Sequence, residues 1–90
     1  MAGTSRYRIL IVDDEVNLRQ GLIDAIESPE FQIDSVDCGE DAIQRLRGQA
    51  YHVVVTDLRM PGAFDGYDVL KEAKGRDADS NVIMITAYGT

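Results

Sequence analysis

Tryptophan is absent from these ninety residues, proline occurs twice, and cysteine and histidine once each. The lone thiol, Cys38, has no partner for an internal disulfide, which points to a reducing compartment and makes cytoplasm the expectation. A single histidine, His52, cannot supply a His pair for a metal and reads as structural at the start of its strand. Basic residues number 9 against 16 acidic ones, a net charge of −7, which argues against nucleic acid or an anionic membrane as a direct partner. No apolar run approaches the ~18 residues that a membrane span needs, and the N-terminus lacks a signal-peptide apolar core. Repeats, low-complexity tracts and linkers are missing too. Residues 1–90 therefore read as one small domain.

What is present is a set of short apolar runs that end on polar residues. Val53-Val54-Val55 is a buried strand without polar alternation, as in parallel sheets covered on both faces. It ends on Asp57, and Pro61-Gly62 turns the chain soon after. Ile9 to Val12 is a similar run that breaks on Asp13-Asp14-Glu15, and Val82 to Ile85 is a third that ends on Thr86. Phe31 to Val36 alternates at first, which suits an edge strand.

Between the strands lie helical patterns. Leu18, Leu22, Ala25 and Ile26 recur on one face of the first, with Arg19, Gln20 and Asp24 opposite, Asp14 as its cap and Pro29 just beyond it. Gly21 inside that helix predicts close packing on the sheet. Gly39 to Arg47 buries Ala42, Ile43 and Leu46. Asp65 caps a third helix carrying Val69, Leu70 and Ala73, with Asp68 completing a capping box. The order βαβαβαβ predicts an α/β fold, a doubly wound parallel sheet in the order 2-1-3-4, with the first helix on one face and the other two opposite. Tyr7, Tyr51, Tyr67 and Tyr88 read as surface or rim residues, and Arg59 as solvated.

In a parallel sheet, Asp13-Asp14, Asp57 and Thr86 all fall on the carboxyl edge, where open α/β sheets build their sites. Each alone has a plain reading: helix cap, loop acid, polar end of a strand. Together, three carboxylates repel unless a cation joins them, and Mg²⁺ accepts a few carboxylates plus a carbonyl while keeping several waters. Such a site would make one carboxylate a nucleophile towards a phosphoryl group, with the Thr86 hydroxyl and the Ala87 N–H holding its oxygens.

Ile9-Leu10-Ile11-Val12-Asp13-Asp14-Glu15, Val55-Thr56-Asp57-Leu58-Arg59-Met60-Pro61-Gly62 and Ile85-Thr86-Ala87-Tyr88-Gly89 resemble the receiver family of two-component response regulators. The resemblance runs in order over essentially the whole chain and implies a flavodoxin-like fold. It implies that Asp57 accepts a phosphoryl group from a histidine kinase. Asp13, Asp14, Asp57 and the Arg59 carbonyl would hold Mg²⁺, with Thr86 as the switch hydroxyl and the small Ala87 leaving room. It further implies a regulatory phosphoacceptor rather than an enzyme, assisting its own phosphotransfer and dephosphorylation.

The Thr-Ala-Tyr-Gly ending is similar to receivers of nitrogen-regulator-type activators. That implies a transcriptional output domain, a sigma-factor-dependent activator with a DNA-binding module. Two departures stand out. Ala63 and Phe64 occupy a place where the family more often has one residue. The family also continues past this point with a fourth helix, a fifth strand bearing a lysine and a fifth helix, so the receiver is expected to be incomplete. An uncovered fourth strand then predicts self-association.

Other readings fit less well. A nucleotide-binding domain would want glycines, not Asp13-Asp14-Glu15, at the first turn. A metal-dependent aspartyl phosphatase would want an acid where Leu58 and Arg59 stand. A docking module that is never phosphorylated would not need Asp57, the acid pair or Thr86.

Overall fold

A computed structural model describes residues 7–85 of the chain; Thr86, Ala87 and Tyr88 lie outside the described residues. Seven elements alternate: β1 (Tyr7–Val12), α1 (Val16–Ile26), β2 (Phe31–Val36), α2 (Gly39–Gly48), β3 (Val53–Asp57), α3 (Gly66–Arg76) and β4 (Asn81–Ile85). All pairings are parallel and the sheet order is β2-β1-β3-β4. The fold is therefore the doubly wound sheet that the strand–helix alternation predicts. Among the described residues no helix is long and apolar enough to cross a membrane.

The two faces of the sheet are covered unequally. Leu10, Val12 and Val54 join Ala42 and Leu46 of α2 and Val69 and Ala73 of α3 in one buried cluster. Ile9 and Ile11 point to the opposite pleat, and α1 packs against β1. No residue of α1 is fully buried, and Ile83 on the edge strand β4 is 51% exposed.

Sequence expectations for α1 need three corrections. Its cap is Glu15, whose carboxylate accepts from the Asn17 and Leu18 N–H groups. Asp14 comes one residue too early, because Asp13 already takes the Glu15 N–H. The inward stripe runs through Arg19, Leu22, Ile23 and Ile26, while Leu18 and Ala25 are exposed. Arg19 is drawn in because its Nη1 donates to the Asp13 carbonyl at 2.6 Å. Gly21 is exposed with open space where a Cβ would stand, so close packing does not account for it.

Tyr51 is a fourth correction. It is 2% exposed and belongs to the core, its hydroxyl donating to Asp34 Oδ2 at 2.6 Å and accepting from Gln49 Nε2 at 2.7 Å. Gln49 also accepts from Arg8, so the network ties the starts of β1 and β3 to β2. A buried Tyr with its hydroxyl satisfied is compatible with a core position. Tyr51→Phe leaves Asp34 and Gln49 each short of a partner and is expected to cost about 1–2 kcal/mol, read as a lower urea midpoint with an unchanged slope. His52 is structural as expected: its Nδ1 accepts the Arg8 N–H at 3.0 Å.

Candidate functional site

The register of the central pair places the site. Val12 pairs with Thr56, and Asp57 with Ile85. The residues that follow β1 therefore stand beside the last residue of β3. Asp13, Asp14 and Asp57 offer carboxylate oxygens that lie within 4.8 Å of one another. They line a cleft of about 520 Å³ with Glu15, Leu18, Arg59, Met60 and Pro61. Four acids and one arginine line this space. Oxygen donors without nitrogen or sulfur suit a hard divalent cation.

Asp13 is fully buried. Its Oδ1 accepts the Glu15 N–H at 2.9 Å, but its Oδ2 is buried without a partner. A buried carboxylate oxygen without a hydrogen-bond donor, set in an acidic cleft, suits coordination by a cation or a hydrogen bond from a water bound to one. Burial raises the Asp13 carboxyl above its ordinary value. The Glu15 N–H pulls the other way, and the charges of Asp57, Asp14 and Glu15 push it further up.

A carboxyl whose pKa is higher in the folded state binds more protons there, so stability falls as pH rises from the ordinary aspartate range through the raised one. The loss is therefore larger at neutral pH than in the acid range. Asp13→Asn removes it, and in chelator the variant is expected to gain on the order of 1 kcal/mol at pH 7 and little at pH 3. Urea unfolding at the two pH values measures this. Excess Mg²⁺ should narrow or reverse the advantage by stabilising the unmutated chain more than the variant, which keeps the direct ligands but loses the Asp13 charge.

Asp57 is half-buried at the tip of β3, and its Oδ1 faces the Arg59 N–H at 3.4 Å. The Arg59 side chain is exposed, as expected. Beyond it the chain turns at Pro61-Gly62, where Gly62 has φ +103°, a left-handed conformation that L side chains rarely adopt. The loop closes where the Gly66 N–H meets the Leu58 carbonyl at 3.0 Å. The Asp65–Asp68 capping box then starts α3, with its reciprocal bonds at 2.9 and 3.2 Å.

Of the six residues singled out from the sequence, four meet in this cleft: Asp13, Asp14, Asp57 and Arg59. The other two, Thr86 and Ala87, directly follow β4, the strand beside Asp57, but lie outside the described residues. Sequence reasoning did not single out Glu15 and Leu18 as cleft residues, nor Glu40, which accepts the Ala63 N–H of the loop at 3.2 Å. Glu40 lies 23 residues ahead of the Ala63 whose N–H it accepts, a contact that no local spacing signals. Asp37, Cys38 and Asp41 form a second group of close donor atoms, with both acids exposed to solvent.

Residues 9–90 match the family model for the response regulator receiver domain. The transcriptional regulatory protein ResD of Bacillus subtilis is 35% identical over 89 residues, which cover 99% of this chain and 36% of that protein. The chain thus spans about a third of that relative's length. Among solved structures, the response regulator TrrA of Thermotoga maritima in complex with Mg(2+)-BeF superposes with a TM-score of 0.81 at 35% identity, covering 92% of this chain and 71% of that one. A complex of TrrA with the histidine kinase ThkA matches with a TM-score of 0.79 at 34% identity, covering 93% and 72%.

Proposed function

The chain belongs to the response regulator receiver domain family, and on that premise we propose that Asp57 accepts a phosphoryl group from a phosphohistidine on a histidine kinase. The observation that carries the reading is the meeting of Asp13, Asp14 and Asp57 around a cleft with one buried, unpartnered carboxylate oxygen. In the step itself, an Asp57 carboxylate oxygen attacks phosphorus along the line of the P–N bond. The O–P bond forms as the P–N bond breaks, and the electron pair leaves on the imidazole nitrogen. The Arg59 N–H fixes Oδ1 of Asp57 and so orients the nucleophile.

Asp14, Asp57 and the Arg59 carbonyl would hold Mg²⁺, with Asp13 acting mostly through water. Bound there, the ion offsets the carboxylate charges and neutralises the incoming phosphoryl oxygens. Thr86 and Ala87 receive the phosphoryl group on the β4 side, the first through its hydroxyl and the second through its N–H. Phosphorylation replaces the carboxylate's single charge with roughly −1.5 to −2 and adds acceptor oxygens. Those oxygens draw the Thr86 hydroxyl inward and shift the population of loop conformations.

The output is a transcriptional domain in the same protein, a reading supported by ResD's being a transcriptional regulator. The nitrogen-regulator type is the finer assignment, resting on Thr86-Ala87-Tyr88-Gly89.

Incubation with a small acyl phosphate tests the function. Intact-mass measurement should show one added phosphoryl group with Mg²⁺ and none in chelator. An unmodified chain under both conditions would overturn the reading.

A further inference from the structure

We propose that Glu40, in the first turn of α2, is a positioning residue for the loop that follows Asp57. The inference rests on the phosphoacceptor reading above. The loop is held at both ends, by the Gly66–Leu58 backbone bond and by the Asp65–Asp68 capping box. Between them, no backbone–backbone hydrogen bond involves residues 59–64 among the described residues. The apex is instead held from another element. Glu40 Oε2 accepts the Ala63 N–H at 3.2 Å, a charge-assisted bond stronger than a neutral one.

Two further observations place this carboxylate as a built contact. A Cβ on Gly62 would stand 2.9 Å from Glu40 Oε2 and 3.2 Å from Oε1, so the carboxylate lies flat against the Pro61-Gly62 turn. The loop also packs on the same turn of α2 at Gly39, where a Cβ would meet the Phe64 carbonyl carbon at 2.9 Å. Glu40 Oε1 is buried there without a partner. Burying a carboxylate oxygen unsatisfied is costly, the more so in a chain of net charge −7. Stability alone does not explain it. The anchored segment is the one that carries Arg59, Met60 and Pro61 into the cleft.

By fixing the apex, Glu40 sets where the Arg59 carbonyl stands relative to Asp57. It also seats Ala63 and Phe64, the place where this loop is longer than is usual in the family. A floating apex would leave the carbonyl to move, and supports of this kind beyond the direct ligands commonly change metal affinity by 10–100-fold.

The test compares the unmutated chain with Glu40→Ala and Glu40→Gln by calorimetric Mg²⁺ titration, amide hydrogen exchange and urea unfolding. Glu40→Ala should weaken Mg²⁺ binding roughly tenfold and speed exchange of the Ala63 amide, with exchange across α2 and α3 unchanged. Glu40→Gln, whose side-chain carbonyl can still accept the Ala63 N–H, should restore affinity to within about threefold. Unchanged affinity in Glu40→Ala would overturn the proposal. Equal losses in both variants that track a fall in the urea midpoint would overturn it too, because they indicate general loosening. Failure of the unmutated chain to bind Mg²⁺ would sink the phosphoacceptor reading itself, and this inference with it; a normal unmutated chain with an indifferent Glu40 sinks this inference alone.

Discussion

Asp57→Asn is expected to lower the rate of phosphoryl acceptance by at least about a thousandfold, roughly 4 kcal/mol of transition-state stabilisation. The amide is close to isosteric and can still face the Arg59 N–H through its oxygen, so the fold should survive. What it lacks is a nucleophilic anion at the tip of β3. Asp13 is poorly placed to substitute, being fully buried with one oxygen committed to the Glu15 N–H. Single-turnover labelling by a small acyl phosphate, followed by intact mass, measures the loss. Removing one of three clustered charges should also raise stability in chelator, as Asp13→Asn does, which separates lost chemistry from lost folding.

Gly66→Ala is expected to disturb fold and site together while leaving the acids intact. A Cβ at this position would run into the Asp57 carbonyl oxygen and approach the Leu58 Cα to 2.9 Å. Both obstacles are backbone, at the junction between the nucleophile's strand and its loop, and neither can rotate away. The first turn of α3 must therefore shift or β3 must bend. Overpacking of this kind costs about 1–3 kcal/mol and sometimes more, a large share of the stability of so small a domain. Because the displaced atoms belong to Asp57 and Leu58, phosphoryl acceptance should fall with stability. A urea midpoint equal to that of the unmutated chain would show that the junction has slack that the contacts do not suggest.

Much of the architecture could be read from the chain, for local reasons. Buried parallel strands carry uninterrupted apolar runs, and the acids that end them mark the carboxyl edge, so β1 and β3 announced both the sheet and the cleft. The α3 capping box was legible because its two partners are three residues apart. The errors lie where a hydrogen bond that no apolar spacing encodes decides. Arg19 was placed outward because its carbonyl partner, Asp13, is not a spacing signal. Asp14 was assigned the cap that Glu15 makes, because the competing claim of Asp13 on the Glu15 N–H exists only in three dimensions. Tyr51 resembled a rim residue until Asp34 and Gln49 were seen to satisfy its hydroxyl. Glu40 left no trace at all, since a carboxylate on a helix is ordinarily solvated and its partner Ala63 comes 23 residues later.

The central claim is that Asp57 is the phosphoacceptor and that the acid cleft makes it one with Mg²⁺. Borohydride reduction converts an aspartyl phosphate to homoserine and marks the acceptor permanently. After treatment with an acyl phosphate, reduction and peptide mapping, homoserine should appear at position 57 alone, in Mg²⁺ and not in chelator. Homoserine at another acid, phosphate on a serine, threonine or the lone histidine, or labelling indifferent to Mg²⁺ would contradict the account.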